Sequence, residues 1–334
     1  MLNALHSFDS KALDLDYEAA AREIEQAIQR IVAQDLRRQG IVLGVSGGID
    51  SSVCAALAVR ALGPERVCAI LMPEKENSPK STRLGTLLCE HLGVTPIMEN
   101  ITAPLTALGC YERRDNAIRR LFPEFTTGWK QKIGLAAGLL DADRVNYFTL
   151  TVESPDGERQ SSRMPVDVYL DVVAATNLKQ RIRKTVEYTH ADRLNYAVLG
   201  TPNRLEYELG FFVRGGDGLA DLKPIAHLYK SQVYGMAAHL GLPAEIQGQS
   251  PSTDTYTLPQ SQEEFYYALP YDQLDLALCA YGRGASEEEA AAALGIPVEQ
   301  VHRVYKDITS KRRTSARILR HAALVQPVDI GSDA

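Results

Sequence analysis

The stretch Leu43-Gly44-Val45-Ser46-Gly47-Gly48-Ile49-Asp50-Ser51-Ser52 constrains this chain more than any other. The apolar run from Ile41 to Val45 reads as a buried strand. Ser51 to Leu62 places Val53, Leu57, Val59, Ala61 and Leu62 at helical spacing. A strand, a glycine turn and a helix in immediate succession aim backbone N–H groups and a helix N-terminus at an anion. Glycines let the backbone approach that anion with no side chain between. The turn lacks the Gly-Lys-Ser/Thr of a Walker A loop and the third glycine of a dinucleotide fingerprint. Its serines offer hydroxyls to phosphate oxygens, and Asp50 offers a carboxylate to a metal ion.

The neighbouring stretches predict an α/β fold. Tyr17 to Arg38 has one apolar stripe and reads as an amphipathic helix that ends at Gly40. After the turn come a strand at Val67–Met72, a helix at Pro79–Leu92 and a strand at Val94–Met98. This β-α-β-α-β alternation implies a parallel sheet flanked by helices. Ligands of such sheets bind at the carboxyl ends of the strands, where the Ser46 turn lies. From about Cys110 to Val173 the alternation breaks. There Val145–Val152, the turn Ser154-Pro155-Asp156-Gly157 and Arg163–Leu170 read as a β-hairpin, so 110–173 is expected to be an inserted segment. Asn177–Thr189 reads as a helix and Ala197–Gly200 as a short strand. Residues 271–320 read as a C-terminal helical part of one domain spanning 1–334.

Composition narrows the partners. The 334 residues carry a net charge of −6, the wrong sign for a general nucleic-acid or anionic-membrane binder. The glutamates of Ser286-Glu287-Glu288-Glu289 argue against DNA contact by the helix pair that follows. No run reaches membrane-spanning or signal-peptide length. The five cysteines form no Cys-x-x-Cys, and a reducing cytoplasm is the simplest location. His190, His227, His239 and His302 are scattered and suggest no zinc site.

The remaining candidates converge on a nucleotide. Asp50 and Glu206, each near a strand end, can share a Mg²⁺ ion. Lys230 can bring a positive charge to a triphosphate. Arg181 and Arg214 can hold a second anion through forked contacts. Magnesium-assisted phosphoryl or nucleotidyl transfer is the reaction class that fits. A sulfur- or tRNA-directed relative and a non-catalytic nucleotide sensor are the competing readings. The missing cysteine pair, the negative charge and the two retained carboxylates weigh against them.

Ser46-Gly47-Gly48-Ile49-Asp50-Ser51 resembles the pyrophosphate-binding motif of the N-type ATP pyrophosphatases. Later motifs resemble one family among them, NAD synthetase, over about 17–108 and 174–320. They are Asn177-Leu178-Lys179-Gln180-Arg181, Gly200-Thr201 with Glu206, Gly210-Phe211-Phe212, Gly216-Asp217, Ala220-Asp221-Leu222, Lys230, Pro251-Ser252-Thr253-Asp254 and Lys311-Arg312. The resemblance implies a Rossmann-like sheet of the adenine nucleotide alpha hydrolase type. It implies a carbon–nitrogen ligase that uses ATP and ammonia to amidate deamido-NAD through an adenylated carboxylate, releasing AMP and pyrophosphate. It also assigns residues. Gly44, Val45, Ser46, Gly47, Gly48, Ile49, Asp50, Ser51, Thr201, Lys230 and Ser252 are expected at ATP, with Asp50 and Glu206 at Mg²⁺. Arg181, Arg214, Asp221, Ser310 and Lys311 are expected at deamido-NAD. Asp50, Lys230 and Asp217 are expected to be catalytic, Asp217 by positioning ammonia. Gln249–Gln260 is the expected lid. Arg214, Ser252 and Ser310 stand where the family commonly has Lys, Thr and His. A homodimer is implied, and free ammonia rather than an attached glutaminase domain, with a separate glutaminase partner left open.

Overall fold

The computed structural model describes residues 8–135, 147–249, 256–259, 266–267 and 269–328. Its centre is a parallel sheet of four strands in the order β3-β2-β1-β7. These are β1 (Ile41–Gly44), β2 (Val67–Leu71), β3 (Ile97–Met98) and β7 (Ala197–Val198). Ile41 sits opposite Val67 on one side and Ala197 on the other. β1 and β2 are apolar along nearly their whole length because both faces of the sheet are covered.

One face is covered by α1 (Tyr17–Arg30), α2 (Ile49–Leu62), α3 (Pro79–Leu92) and, after β7, α8 (Lys230–His239). Ile24, Ile28, Val53, Leu57, Leu88, Val233 and Met236 form its core with Ile41 and Leu43. On the other face Val42, Ile70 and Val198 pack with Leu105 and Tyr111. Those two come from α4 (Thr102–Ala107) and α5 (Cys110–Arg119). The long α6 (Val166–Leu194) covers the rest of this face, with Leu178, Ile182 and Val186 against the sheet. The parallel α/β expectation is met, and the helix expected at 177–189 is the middle of α6.

The expected hairpin needs correcting. Its turn is where the sequence placed it, between β5 (Phe148–Glu153) and β6 (Arg159–Arg163). These strands join β4 (Lys130–Leu135) in a three-stranded antiparallel sheet. Of Arg163–Leu170 only Arg163 is in a strand, as the last residue of β6. The alternation of Met164, Val166, Val168 and Leu170 suggested one, yet Val166 and Leu170 are exposed whereas Val168 and Val172 are buried. Burial at i and i+4 is the signature of a helix, and Pro165 starts it. The expected end of the insertion at 173 thus falls inside α6. Ile133, Leu150, Val152, Val168 and Val172 share a core with Ile118 and Phe122.

The C-terminal helices are α10 (Tyr271–Arg283), α11 (Glu287–Leu294) and α12 (Val298–Ile318). They pack against α7 (Arg204–Leu209) through Leu205, Leu209, Leu278, Val304 and Ile308. The short α9 (Ala244–Gln247) follows α8. Among the described residues no helix is long and apolar enough to cross a membrane.

Candidate active site

Two adjoining clefts open where β1, β2 and β7 end. The smaller, of about 240 Å³, is lined by Gly44, Val45, Met72, Asn77, Arg183 and Glu187, among others. The larger, of about 520 Å³, is lined by Gly47, Gly48, Asp50, Lys80, Glu206 and Lys230, among others. Ser46, Ser51, Ser81, Thr201 and Asp217 line both and form the shared wall.

The turn is built for close approach. Gly47 has φ +78°, and a Cβ there would lie 2.6 Å from the carbonyl oxygen of Ser81 and 2.8 Å from Cβ of Leu84. Only glycine lets α3 pass this close. The Ser46 hydroxyl accepts from the Gly48 N–H at 3.2 Å and lies 3.0 Å from the Ser51 hydroxyl. The Ser51 and Ser52 hydroxyls donate to the Gly48 carbonyl at 3.1 and 2.8 Å. Gly48 starts α2 with no side-chain cap, which leaves the positive end of the helix for an anion.

Asp50, in the first turn of α2, forms an ion pair with Lys230 through Oδ2. Its Oδ1 accepts from Nδ2 of Asn203 at 3.0 Å. Asn203 caps α7 and exchanges two hydrogen bonds with Glu206, each 3.2 Å. Both carboxylates are therefore held by Asn203, Asp50 by its side-chain amide and Glu206 by its backbone N–H. Burial and, after it, the facing Asp50 carboxylate push the Glu206 pKa up to about 8 against the opposing pull of Lys230. The pair is short of positive charge. A divalent cation with a taste for hard oxygen ligands fits that donor set, and Mg²⁺ normally completes its shell with phosphate oxygens and water. Among the described residues no three His, Cys, Asp or Glu side chains cluster as a ready-made metal site.

Lys230 is 1% exposed. Burial works against its charge, but Asp50 and Glu206 outweigh it and its pKa is raised. Its position is fixed from behind. Asp275 of α10, fully buried, accepts from the backbone N–H groups of Lys230 and Ser231 at 3.1 and 2.7 Å. Asp217 accepts from the Val213 N–H at 2.8 Å, and burial raises its pKa.

The sequence-predicted residues divide into groups. Gly44 and Val45 line the smaller cleft, and Gly47, Gly48, Ile49, Asp50, Glu206 and Lys230 the larger. The residues expected at deamido-NAD line neither. Nε of the exposed Arg181 donates to the Arg214 carbonyl at 3.3 Å, which places these two together. Asp221 accepts from the Tyr188 hydroxyl at 3.1 Å and from the Val198 N–H at 2.7 Å. Ser310 is exposed on α12. Beside it Lys311 donates to the Tyr266 carbonyl at 2.8 Å and pairs with Asp307 at 2.7 Å. Burial draws the Lys311 pKa down by more than Asp307 restores. Ser252 and most of the expected lid lie outside the described residues. Sequence reading missed Asn203, Asp275, Arg183 and the buried pair Lys184–Glu187, 2.6 Å apart beside the smaller cleft.

A parallel sheet flanked by helices, with clefts at the carboxyl ends of its strands, is the architecture of a Rossmann-like α/β protein. The comparison with known families is then specific: the NAD synthase family matches residues 20–119 and 114–315. The chain belongs to that family. It is 52% identical over 322 residues to the NH3-dependent NAD⁺ synthetase of Rhizobium meliloti (strain 1021), covering 96% of each chain. In fold it resembles the NH3-dependent NAD synthetase of Campylobacter jejuni, solved in complex with the nitrate ion. That match has a TM-score of 0.61 and 21% identity, over 93% of this chain and 100% of the other. The NMN synthetase of Francisella tularensis is similarly related in fold, with a TM-score of 0.60 and 21% identity over 93% and 99% of the chains.

Proposed function

We propose that this chain is a carbon–nitrogen ligase that converts deamido-NAD to NAD with ATP and ammonia. One observation carries the reading within the family: the Ser46 turn, Asp50, Glu206 and Lys230 all line one cleft. A turn of N–H and O–H donors, two carboxylates and a buried lysine suit the triphosphate of a Mg·ATP complex. The smaller cleft then takes the adenosine; Ser252, also expected at ATP, lies outside the described residues.

A carboxylate becomes a competent acyl donor only when one of its oxygens is made part of a good leaving group. The deamido-NAD carboxylate attacks the α-phosphorus of ATP, and pyrophosphate departs. Both reactants are anions, so their approach needs dense positive charge. Lys230, held by Asp50 and by Asp275 behind it, supplies part of it at a fixed position. Asp50 and Glu206 would hold Mg²⁺, which when bound neutralises phosphate charge and orients the oxygens. Ammonia then attacks the carbonyl carbon of the adenylate, and AMP leaves with the bridging oxygen. Asp217, at the wall common to both clefts, positions the ammonium ion and accepts its proton.

Arg181, Arg214, Asp221, Ser310 and Lys311 form the deamido-NAD surface. They line neither of the two clefts, and a site completed across a homodimer is the proposed arrangement. The cytoplasm is the proposed location, in keeping with five cysteines that are all free and buried. The 334 residues act as one unit, with 110–173 an elaboration of it, and ammonia comes from solution or from a separate glutaminase.

Incubation with ATP, Mg²⁺, deamido-NAD and ammonium tests the proposal. The expected result is NAD and AMP in equal amounts, with ATP consumption that depends on deamido-NAD. Folded protein that makes no NAD at saturating ammonium would overturn it.

A further inference from the structure

A buried charge network joins the smaller cleft to α5, a helix that lines neither cleft. Its centre is the segment between β2 and α3. Nζ of Lys179, from α6, donates to Oε1 of Glu74 and to Oε2 of Glu76, each at 2.8 Å. Arg114, from α5, donates through Nη1 to the same Glu76 Oε2 at 2.5 Å. Its Nε and Nη2 hold Asp115 at 2.9 and 2.7 Å. Tyr111, one turn earlier in α5, donates its hydroxyl to Oε2 of Glu74 at 2.8 Å. The side chains of Glu74 and Lys179 are 0% and 2% exposed, and those of Arg114 and Glu76 are 7% and 12% exposed.

The same segment reaches the cleft. Oδ1 of Asn77 accepts from the Glu74 N–H at 3.1 Å and from Nη2 of Arg183 at 3.0 Å. Pro73, Asn77 and Arg183 all line the smaller cleft. The residue after Asn77, Ser78, caps α3, which brings Lys80 and Ser81 to the larger cleft. The segment from Pro73 to Ser81 is thus cleft wall on one side and buried ion pairs on the other.

We propose that Arg114 is a positioning residue for ATP. It touches no part of the cleft, and it acts by fixing Glu76 and so the cleft wall at Asn77. Two carboxylates, Glu74 and Glu76, are balanced in the buried region by two cations, Lys179 and Arg114. Removal of Arg114 leaves one lysine between two buried carboxylates, and an uncompensated buried charge moves toward water. Glu76 cannot leave without carrying Asn77, one residue away. Lys at this position keeps the charge but loses the fork that spans Glu76 and Asp115.

The inference rests on the reading of the two clefts as the ATP site. Calorimetric titration with Mg·ATP and with deamido-NAD, separately, tests it on wild type, Arg114→Met and Arg114→Lys. Arg114→Met is expected to weaken ATP binding about tenfold, as small misplacements of a binding wall do. Arg114→Lys is expected to weaken it severalfold, and deamido-NAD binding changes less than twofold in both. In turnover, KM for ATP rises while kcat and KM for ammonium hold. If Arg114→Met does not fold, as judged by circular dichroism, Arg114→Lys decides. ATP affinity unchanged in a folded variant, or equal loss of both ligands, overturns the proposal while leaving the ATP reading intact. Wild type that fails to bind ATP overturns both.

Discussion

Asp50 has one oxygen on Lys230 and the other on Asn203, so its charge is shared before any substrate arrives. Asp50→Asn keeps the shape and removes the charge. We expect NAD and AMP formation to fall at least about a hundredfold, the scale of losing a group that stabilises transition-state charge. The melting temperature should change little, because the variant also relieves the repulsion from Glu206; activity within a few-fold of wild type would contradict the metal assignment. Glu76 sets a second residue-scale expectation. Burial alone would raise its pKa, but the hydrogen bond and charge of Arg114 and the charge of Lys179 bring it from 4.5 down to about 2. The folded state therefore binds fewer protons than the unfolded one between these values. The stability involved is present above the unfolded pKa and is lost as pH falls toward about 2. It is on the order of 3 kcal/mol. In urea melts, the gap between wild type and Glu76→Gln should narrow as the pH drops through this window; a constant gap would contradict the ion pairing. Asp50 and Lys230 were legible in the sequence because each sits at the start of a helix, next to a strong breaker or a motif. Asn203 was legible in principle, since Asn203-x-x-Glu206 has the spacing of a capping box. Asp275 was not, because a carboxylate that caps a helix 45 residues away leaves no local pattern.

At the scale of elements, the placement of α8 matters most. Its first residue is Lys230, and Asp275 of α10 holds its first two N–H groups. Asp275→Ala leaves buried donors unpaired and frees the helix end that carries the lysine. We expect a loss of about 2–4 kcal/mol, the cost of two buried hydrogen bonds to a charged group. It should appear in thermal or chemical unfolding together with a drop in kcat; unchanged stability would mean that α8 is fixed by its apolar face alone. β1 and β2 were legible because both of their faces are buried and they read as continuous apolar runs. The antiparallel sheet was legible at its turn and at β5, which overlaps the run read as the first arm of the hairpin. β6 is Arg-Gln-Ser-Ser-Arg, a polar strand with no apolar face to reveal it. The start of α6 misled because Val166 and Leu170 are apolar yet exposed, so apolar character and burial part company there.

Across the whole molecule, the helices and strands bring residues from three stretches of chain to one place. The Ser46 turn ends β1, Thr201 and Glu206 follow β7, and Lys230 opens α8. Their order along the chain gave the motif, and the parallel sheet explains why they meet: the carboxyl ends of adjacent strands share one edge. The deamido-NAD candidates spread over α6, the 210–221 loop and α12. No sequence pattern could say how they meet, since that depends on how α12 packs on α7 and on any second subunit. In the proposed reaction the substrate carboxylate is activated by joining the α-phosphate of ATP in the cleft beside Lys230. Deamido-NAD labelled with ¹⁸O in both carboxylate oxygens tests it directly, with ATP, Mg²⁺ and ammonium present and the products analysed by mass spectrometry. One ¹⁸O is expected in each AMP and none in pyrophosphate. AMP without label, or label in pyrophosphate, would contradict it.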